Sequence, residues 1–206
     1  MMEEHREGPR LKGLKIPTSA LLFALALAFA GPAIFLHELG HYVGGLAYGE
    51  EVRMTASSVI SDTPTSSYPP VQRLVQTGLG PVVSVLLTLI GIALLNRHWT
   101  VGAALAVAAP ARFVFSAGYL GFLVYRALVG LPPPSPSFDE HTVMSAINLP
   151  VWPLLLAELL FLIWAGRKVH RALPEAGKWQ NWACLITGTV AGFFLWLAYI
   201  GPILLQ

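Results

Sequence analysis

Residues 17–48 read PTSALLFALALAFAGPAIFLHELGHYVGGLAY, an apolar stretch that ends around a His-Glu-Leu-Gly-His motif at 37–41. About 20 mostly apolar residues are enough to cross the hydrocarbon core of a bilayer. The stretch therefore predicts one membrane-spanning helix, although Gly31-Pro32 leaves open a division into two passes. Ala28-Phe29-Ala30 fits a signal-peptide cleavage pattern, but the apolar sequence continues into the motif, so we expect an uncleaved first helix.

The rest of the chain has the same apolar character. Of its 206 residues, 55% are hydrophobic and 12% are charged, about half the charged fraction of a soluble domain. Further runs of spanning length follow the first stretch. We therefore expect an all-α, polytopic transmembrane bundle of about five or six spans, forming one membrane-embedded domain over 17–206 after a polar tail at 1–16. The runs lie at 79–95, 100–129, 147–166 and 183–205.

The loops and the charges indicate how this bundle sits in the membrane. Lys and Arg are concentrated in 1–16, 96–99 and 167–182, which share one side if there are five spans. Basic loops are usually cytoplasmic, so we expect a multi-pass protein of the cell membrane with a cytoplasmic N-terminus. The polar segment 49–78 contains a β-like piece at 51–60, which predicts a small hairpin at the membrane edge.

The composition excludes several kinds of site. The single cysteine, Cys184, excludes a disulfide framework and a zinc site built from cysteines. No Lys/Arg tract is dense enough to indicate nucleic-acid binding.

The His-Glu-Leu-Gly-His motif carries the chemistry. On a helix, His37 and His41 share one face, so both imidazoles can turn toward one ion. Glu38 can then act as general base on a water activated by Zn²⁺. Ionisable groups at membrane depth are costly and usually functional. The alternative is that the histidines hydrogen-bond neighbouring helices and that Glu38 pairs with a cation. Gly40 leaves room for another helix or for substrate.

A catalytic zinc usually takes a third protein ligand. The polar loop after the third run contains Asp139-Glu140-His141, and Asp139 is the leading candidate. Glu140, His141 and Glu158 are the alternatives. Ser137 and Glu140 also fit a helix capping box, and an acidic residue in a first turn is favourable anyway. Asp139 can be both a ligand and a first-turn residue.

Two charges fall in the middle of apolar runs. Arg112 lies in the third run and Glu158 in the fourth. Because unpaired charges at mid-bilayer cost several kcal/mol, we expect these two side chains to pair. The alternative for Arg112 is a place near the substrate. Gly31-Pro32 and Pro110 predict kinks in their helices.

Three segments together resemble the site-2 protease family of intramembrane zinc metalloproteases over about residues 20–150. They are Phe35-Leu36-His37-Glu38-Leu39-Gly40-His41, then Gly80-Pro81-Val82-Val83-Ser84, then Leu131-Pro132-Pro133-Pro134 leading to Phe138-Asp139. The resemblance implies a three-helix catalytic core with zinc on two His and one Asp, and substrate binding at the position of Ser84. Ser84 stands where the family has Asn, and Glu140 where it has Gly. The runs at 147–166 and 183–205 carry no family motif.

The expected function is an intramembrane zinc metalloendopeptidase with the lipid bilayer around it and a membrane protein or transmembrane peptide as substrate. A membrane metal-binding protein without proteolytic activity is one alternative. A metallohydrolase that acts on a non-peptide substrate is another. The intact Glu38 favours an enzyme, because a structural metal site has no need of a carboxylate beside its first ligand.

Overall fold

The computed structural model describes residues 17–64, 67–132 and 138–205, and the tail expected at 1–16 lies outside them. These residues are mostly helical, with one short hairpin. The elements are α1 (Thr18–Leu46), β1 (Val52–Met54), β2 (Val59–Ser61), α2 (Pro70–Leu94), α3 (Trp99–Ala108), α4 (Phe113–Leu128), α5 (Asp139–Ala146), α6 (Trp152–Ala172), α7 (Lys178–Leu195), a π-helical turn (Trp196–Ile200) and α8 (Gly201–Leu204).

The first apolar stretch forms one unbroken helix, α1, with Pro32 inside it. The alternative of two passes is therefore wrong. Gly31 serves a close contact rather than a break, because a Cβ there would lie 2.9 Å from Cε3 of Trp196. Two glycines of α7 also allow close approach to α1. A Cβ on Gly188 would lie 2.5 Å, and a Cβ on Gly192 2.3 Å, from a backbone oxygen of α1. Small residues let membrane helices approach in this way.

Three helices are long and apolar enough to cross a membrane: α1, α2 and the continuous segment from Lys178 to Leu204. The pair α3 and α4, bent by 45° at the break that contains Pro110, makes a fourth if it counts as one span. Three or four is fewer than the five or six that the apolar runs predict. One reason is α6, which carries Glu158 in its middle and Arg167 and Lys168 near its end.

The outer faces of these helices are apolar. Side chains such as Phe115, Leu128, Phe194 and Ile203 are each at least 66% exposed. A water-soluble monomer rarely exposes so many large apolar side chains. These faces are compatible with a membrane protein.

The predicted hairpin is confirmed. Strands β1 and β2 pair antiparallel, with Val52 opposite Ser61. Glu50 fixes one end, because its carboxylate accepts hydrogen bonds from Tyr68 Oη at 2.8 Å and Gln72 Nε2 at 3.0 Å. The turn is tied to the end of α7, where Trp196 Nε1 donates to the carbonyl of Ala56 at 2.7 Å. The hairpin is thereby attached to the bundle at both ends.

Candidate metal centre

Three side chains from two distant parts of the sequence meet between α1, α2 and α5. The Nε2 atoms of His37 and His41 lie 3.1 Å apart. Oδ2 of Asp139 lies 3.2 Å from the first and 3.1 Å from the second. The two histidines are 2% and 7% exposed. Such a group of donor atoms can hold a metal ion.

The spacing and chemistry of these donors fit zinc. Zinc bonds to histidine nitrogen and carboxylate oxygen are about 2.0–2.2 Å long, which puts neighbouring ligands of a tetrahedral ion about 3.3 Å apart. The three separations measured here are close to that value. A set of two imidazoles and one carboxylate is also typical of catalytic zinc, which keeps its fourth position open.

The other ring nitrogens orient the two histidines. Nδ1 of His41 donates to the carbonyl of Gln76 at 2.9 Å. Since a carbonyl only accepts, this bond leaves Nε2 free to bind a metal. Nδ1 of His37 lies 2.9 Å from Oγ of Ser84, which supports the same orientation. Gln76 could not be predicted from sequence motifs, because its contact with His41 is made by the backbone carbonyl.

Ser84 lies behind His37, on the side away from the metal-binding atoms. Its side chain is 1% exposed, and it is not among the residues that line the cavity at the site. The predicted substrate contact of Ser84 stays a prediction. In the structure the hydroxyl group instead holds the ring of His37 in place.

Two glycines allow the helices to come together here. A Cβ on Gly80 would lie 2.3 Å from Nε2 of His41 and 2.9 Å from Nε2 of His37. A Cβ on Gly40 would lie 2.7 Å from the carbonyl oxygen of Leu79. Gly40 therefore makes room for another helix, which was one of its two expected roles.

Asp139 is the first residue of α5. Burial alone would raise the pKa of its carboxyl group, but hydrogen bonds with both histidines and the charge of Arg112 hold that pKa well below its usual range. Among the described residues, Glu140, His141 and Glu158 do not belong to the metal-binding group. Ser137, the other residue of the predicted capping box, lies outside the described residues.

Arg112 pairs with Glu38. Its second terminal nitrogen lies 4.0 Å from Oδ2 of Asp139. The expected pair between Arg112 and Glu158 is therefore wrong. Arg112 falls in the break between α3 and α4, which turns it toward α1, whereas Glu158 lines a different cavity together with Glu140. The alternative reading of Glu38, that it pairs with a cation, also describes the structure.

A cavity of about 370 Å³ lies beside these groups. Its lining includes Glu38, His41, Arg112 and Asp139 together with residues 57–59 of the hairpin. The cavity is large enough for part of a peptide or another small substrate. Its lining residues are Glu38, His41, Ser57, Ser58, Val59, Gln76, Thr77, Arg112, Phe138, Asp139 and Thr142.

Comparison with known proteins identified no relative of this chain. No protein-family model matches the chain, and no curated protein or solved structure is significantly similar to it. The resemblance to the site-2 protease family therefore depends on the three sequence motifs alone.

Proposed function

We propose that the chain is a multi-pass membrane zinc metalloendopeptidase of the site-2 protease type. The observation that carries the proposal is the convergence of His37, His41 and Asp139, whose donor atoms are 3.1–3.2 Å apart. The carboxylate of Glu38 lines the same cavity. Two imidazoles, a carboxylate and an adjacent acid form a set that can support metal-assisted hydrolysis.

His37, His41 and Asp139 would hold the zinc ion. Zinc in such a site supplies Lewis acidity and lowers the pKa of water to about 7. Glu38 takes the proton of the attacking water and passes it to the leaving amine. Arg112 supplies the positive charge that a carboxylate with 2% exposure needs. It also keeps that carboxylate oriented toward the cavity.

The substrate in this proposal is a membrane protein or a transmembrane peptide. The site lies on α1, a helix long and apolar enough to span, so we place the scissile bond within or near the bilayer. A helical substrate hides its carbonyls in its own hydrogen bonds and must unwind locally before it is cut. The proposed setting is the cell membrane, with the N-terminus cytoplasmic and five or six spans.

One observation favours a second candidate, a metal-binding membrane protein without proteolytic activity. Glu38 is engaged by Arg112, and a carboxylate held in an ion pair can serve stability alone. A metallohydrolase that acts on a non-peptide substrate would use the same three metal ligands, so it remains an alternative to a protease.

The test uses purified protein and a transmembrane peptide, with wild type, Glu38→Gln and His37→Ala compared for cleavage and zinc content. The proposal expects Glu38→Gln to keep zinc and lose cleavage, and His37→Ala to lose both. Unchanged cleavage by Glu38→Gln would exclude the proposed mechanism. A wild type that binds zinc and cuts no peptide would favour the second candidate.

A further inference from the structure

A second, larger cavity of about 690 Å³ lies between α2, α4, α5 and α6. Its walls are almost entirely apolar, and among the described residues the only ionisable ones in the lining are two glutamates. The lining consists of Leu74, Val75, Gly78, Leu79, Pro81, Val82, Val85, Leu86, Phe113, Glu140, Val143, Leu154, Ala157, Glu158 and Phe161.

The two glutamates are buried, and both line this cavity. Glu140 is 6% exposed and Glu158 is 7% exposed. Oε2 of Glu158 has no hydrogen-bond partner within the described part of the chain. A buried polar atom without a partner costs free energy, so a ligand that donates a hydrogen bond to Oε2 of Glu158 would relieve this cost.

This cavity is separate from the one at the metal-binding residues. At two places, residues that are adjacent in sequence line different cavities. Arg112 and Asp139 line the smaller cavity, whereas Phe113 and Glu140 line the larger one. The mechanism proposed above therefore uses neither Glu140 nor Glu158.

A cation supplied by the chain is not available to this pair among the described residues. Arg112 is turned toward Glu38, and no described ion pair involves Glu158. A bare Mg²⁺ or Ca²⁺ fits poorly, because such ions take six or more oxygen ligands and the remaining walls are apolar. An organic cation attached to an apolar body matches both parts of the lining.

The cavity also has the size and access that such a ligand needs. Its volume falls within the range of about 300–1,000 Å³ that is usual for small-molecule sites. Two lining residues on the outer face of α2, Val82 and Leu86, are 49% and 52% exposed. In a bilayer, this face opens toward the lipid, where amphiphilic molecules are dissolved.

We propose that this cavity binds an amphiphilic amine, with its ammonium group at Glu140 and Glu158 and its hydrocarbon chain along α2 and α6. The same chemistry is found in free long-chain amines and in lipids with a primary-amine headgroup. The site extends beyond the proteolytic function and does not depend on it.

The test measures binding of decylamine and decanol to the full chain in detergent, by thermal unfolding and by titration. The two probes have the same hydrocarbon chain and differ in the cationic head. A charge-assisted hydrogen bond predicts that decylamine binds at least about tenfold more tightly than decanol. Glu158→Gln should abolish the preference. Glu175→Gln, at an exposed glutamate, should keep it and controls for general attraction of amines to the protein.

Equal binding of the two probes to wild type would overturn the proposal without any variant. A preference that survives in Glu158→Gln would also overturn it. Ala157→Phe, which fills the cavity, should weaken the binding of both probes and is a second route if Glu158→Gln fails to fold.

The source of the ligand is tested in nanodiscs of phosphatidylcholine. If added phosphatidylethanolamine competes with decylamine for binding, the natural ligand is a lipid headgroup. If it does not compete, the ligand is a free amine.

Discussion

The guanidinium group of Arg112 is hydrogen-bonded to the carboxylate of Glu38, and the Arg112 side chain is 30% exposed while that of Glu38 is 2% exposed. The two residues come from the α3–α4 break and from α1. The bond connects the residue that we propose as general base to a part of the chain that the motifs do not cover.

Removing this arginine should destabilise the protein. Arg112→Ala leaves a buried carboxylate without a counter-charge, and we expect a loss of about 2 kcal/mol or more, reduced from the fully buried case because Arg112 is partly exposed. Thermal unfolding in detergent measures the loss. The double variant Glu38→Gln/Arg112→Ala should lose less than the sum of the two single variants. Additive losses would show that the pair contributes nothing.

Gly80 should be essential for metal binding. In Gly80→Ala, the new methyl group would overlap Nε2 of His41, only 2.3 Å away, and displace the ring. Zinc content should fall well below that of wild type. The matched control is Gly78→Ala on the same helix, where the nearest neighbour of the new Cβ is Val143 Cγ2 at 3.9 Å. Equal zinc content in the two variants would contradict the geometry described for the site.

The hydroxyl group of Ser84 should tune metal affinity through His37. Loss of such an orienting hydrogen bond typically weakens metal binding about 10–100-fold, so we expect Ser84→Ala to bind zinc less tightly than wild type. Thr88→Ala, one turn further along α2, is the control, because its hydroxyl bonds only the backbone of residue 84. Zinc titration with a competing chelator measures both. Unchanged zinc affinity with impaired cleavage would instead support the substrate contact that the family resemblance implies.

Acid should loosen the hairpin through Glu50. The hydrogen bond from Tyr68, together with those from Gln72 and Ser61, lowers the pKa of Glu50 below its ordinary value of 4.5. A carboxyl group with a lowered pKa stabilises the fold above its ordinary pKa, and this stabilisation is lost as the pH falls through the lowered value. Hydrogen exchange in residues 52–61 should therefore increase on acidification. The increase should be smaller in Glu50→Gln, and an identical pH response in that variant would contradict the assignment.

Local signals in the sequence predicted much of the site. The spacing of His37 and His41 places both imidazoles on one helix face. Asp139 follows the Pro-rich segment at 131–134, as the family resemblance implies for the third ligand. The pairing of Arg112 was not predictable in the same way. Its partner depends on the direction in which the 109–112 break turns, which is set by packing between helices. Two charges in neighbouring apolar runs suggested a pair, but the sequence does not show which side of a helix faces which neighbour.

The number of spans shows a similar limit. An apolar run can be read from composition, yet α6 ends in a basic segment and carries Glu158 toward a cavity inside the bundle. The hairpin was predictable from its β-like residues. Its attachment to Trp196 was not, because that contact joins segments far apart in sequence.

We propose that His37, His41 and Asp139 together hold one zinc ion. The most direct measurement is the zinc-to-protein ratio of purified wild type beside Asp139→Ala, with Asp62→Ala as a control at an exposed aspartate. We expect one zinc per chain in wild type and in the control, and little or none in Asp139→Ala. A wild type without stoichiometric zinc after reconstitution, or an Asp139→Ala variant that retains it at wild-type affinity, would contradict the claim.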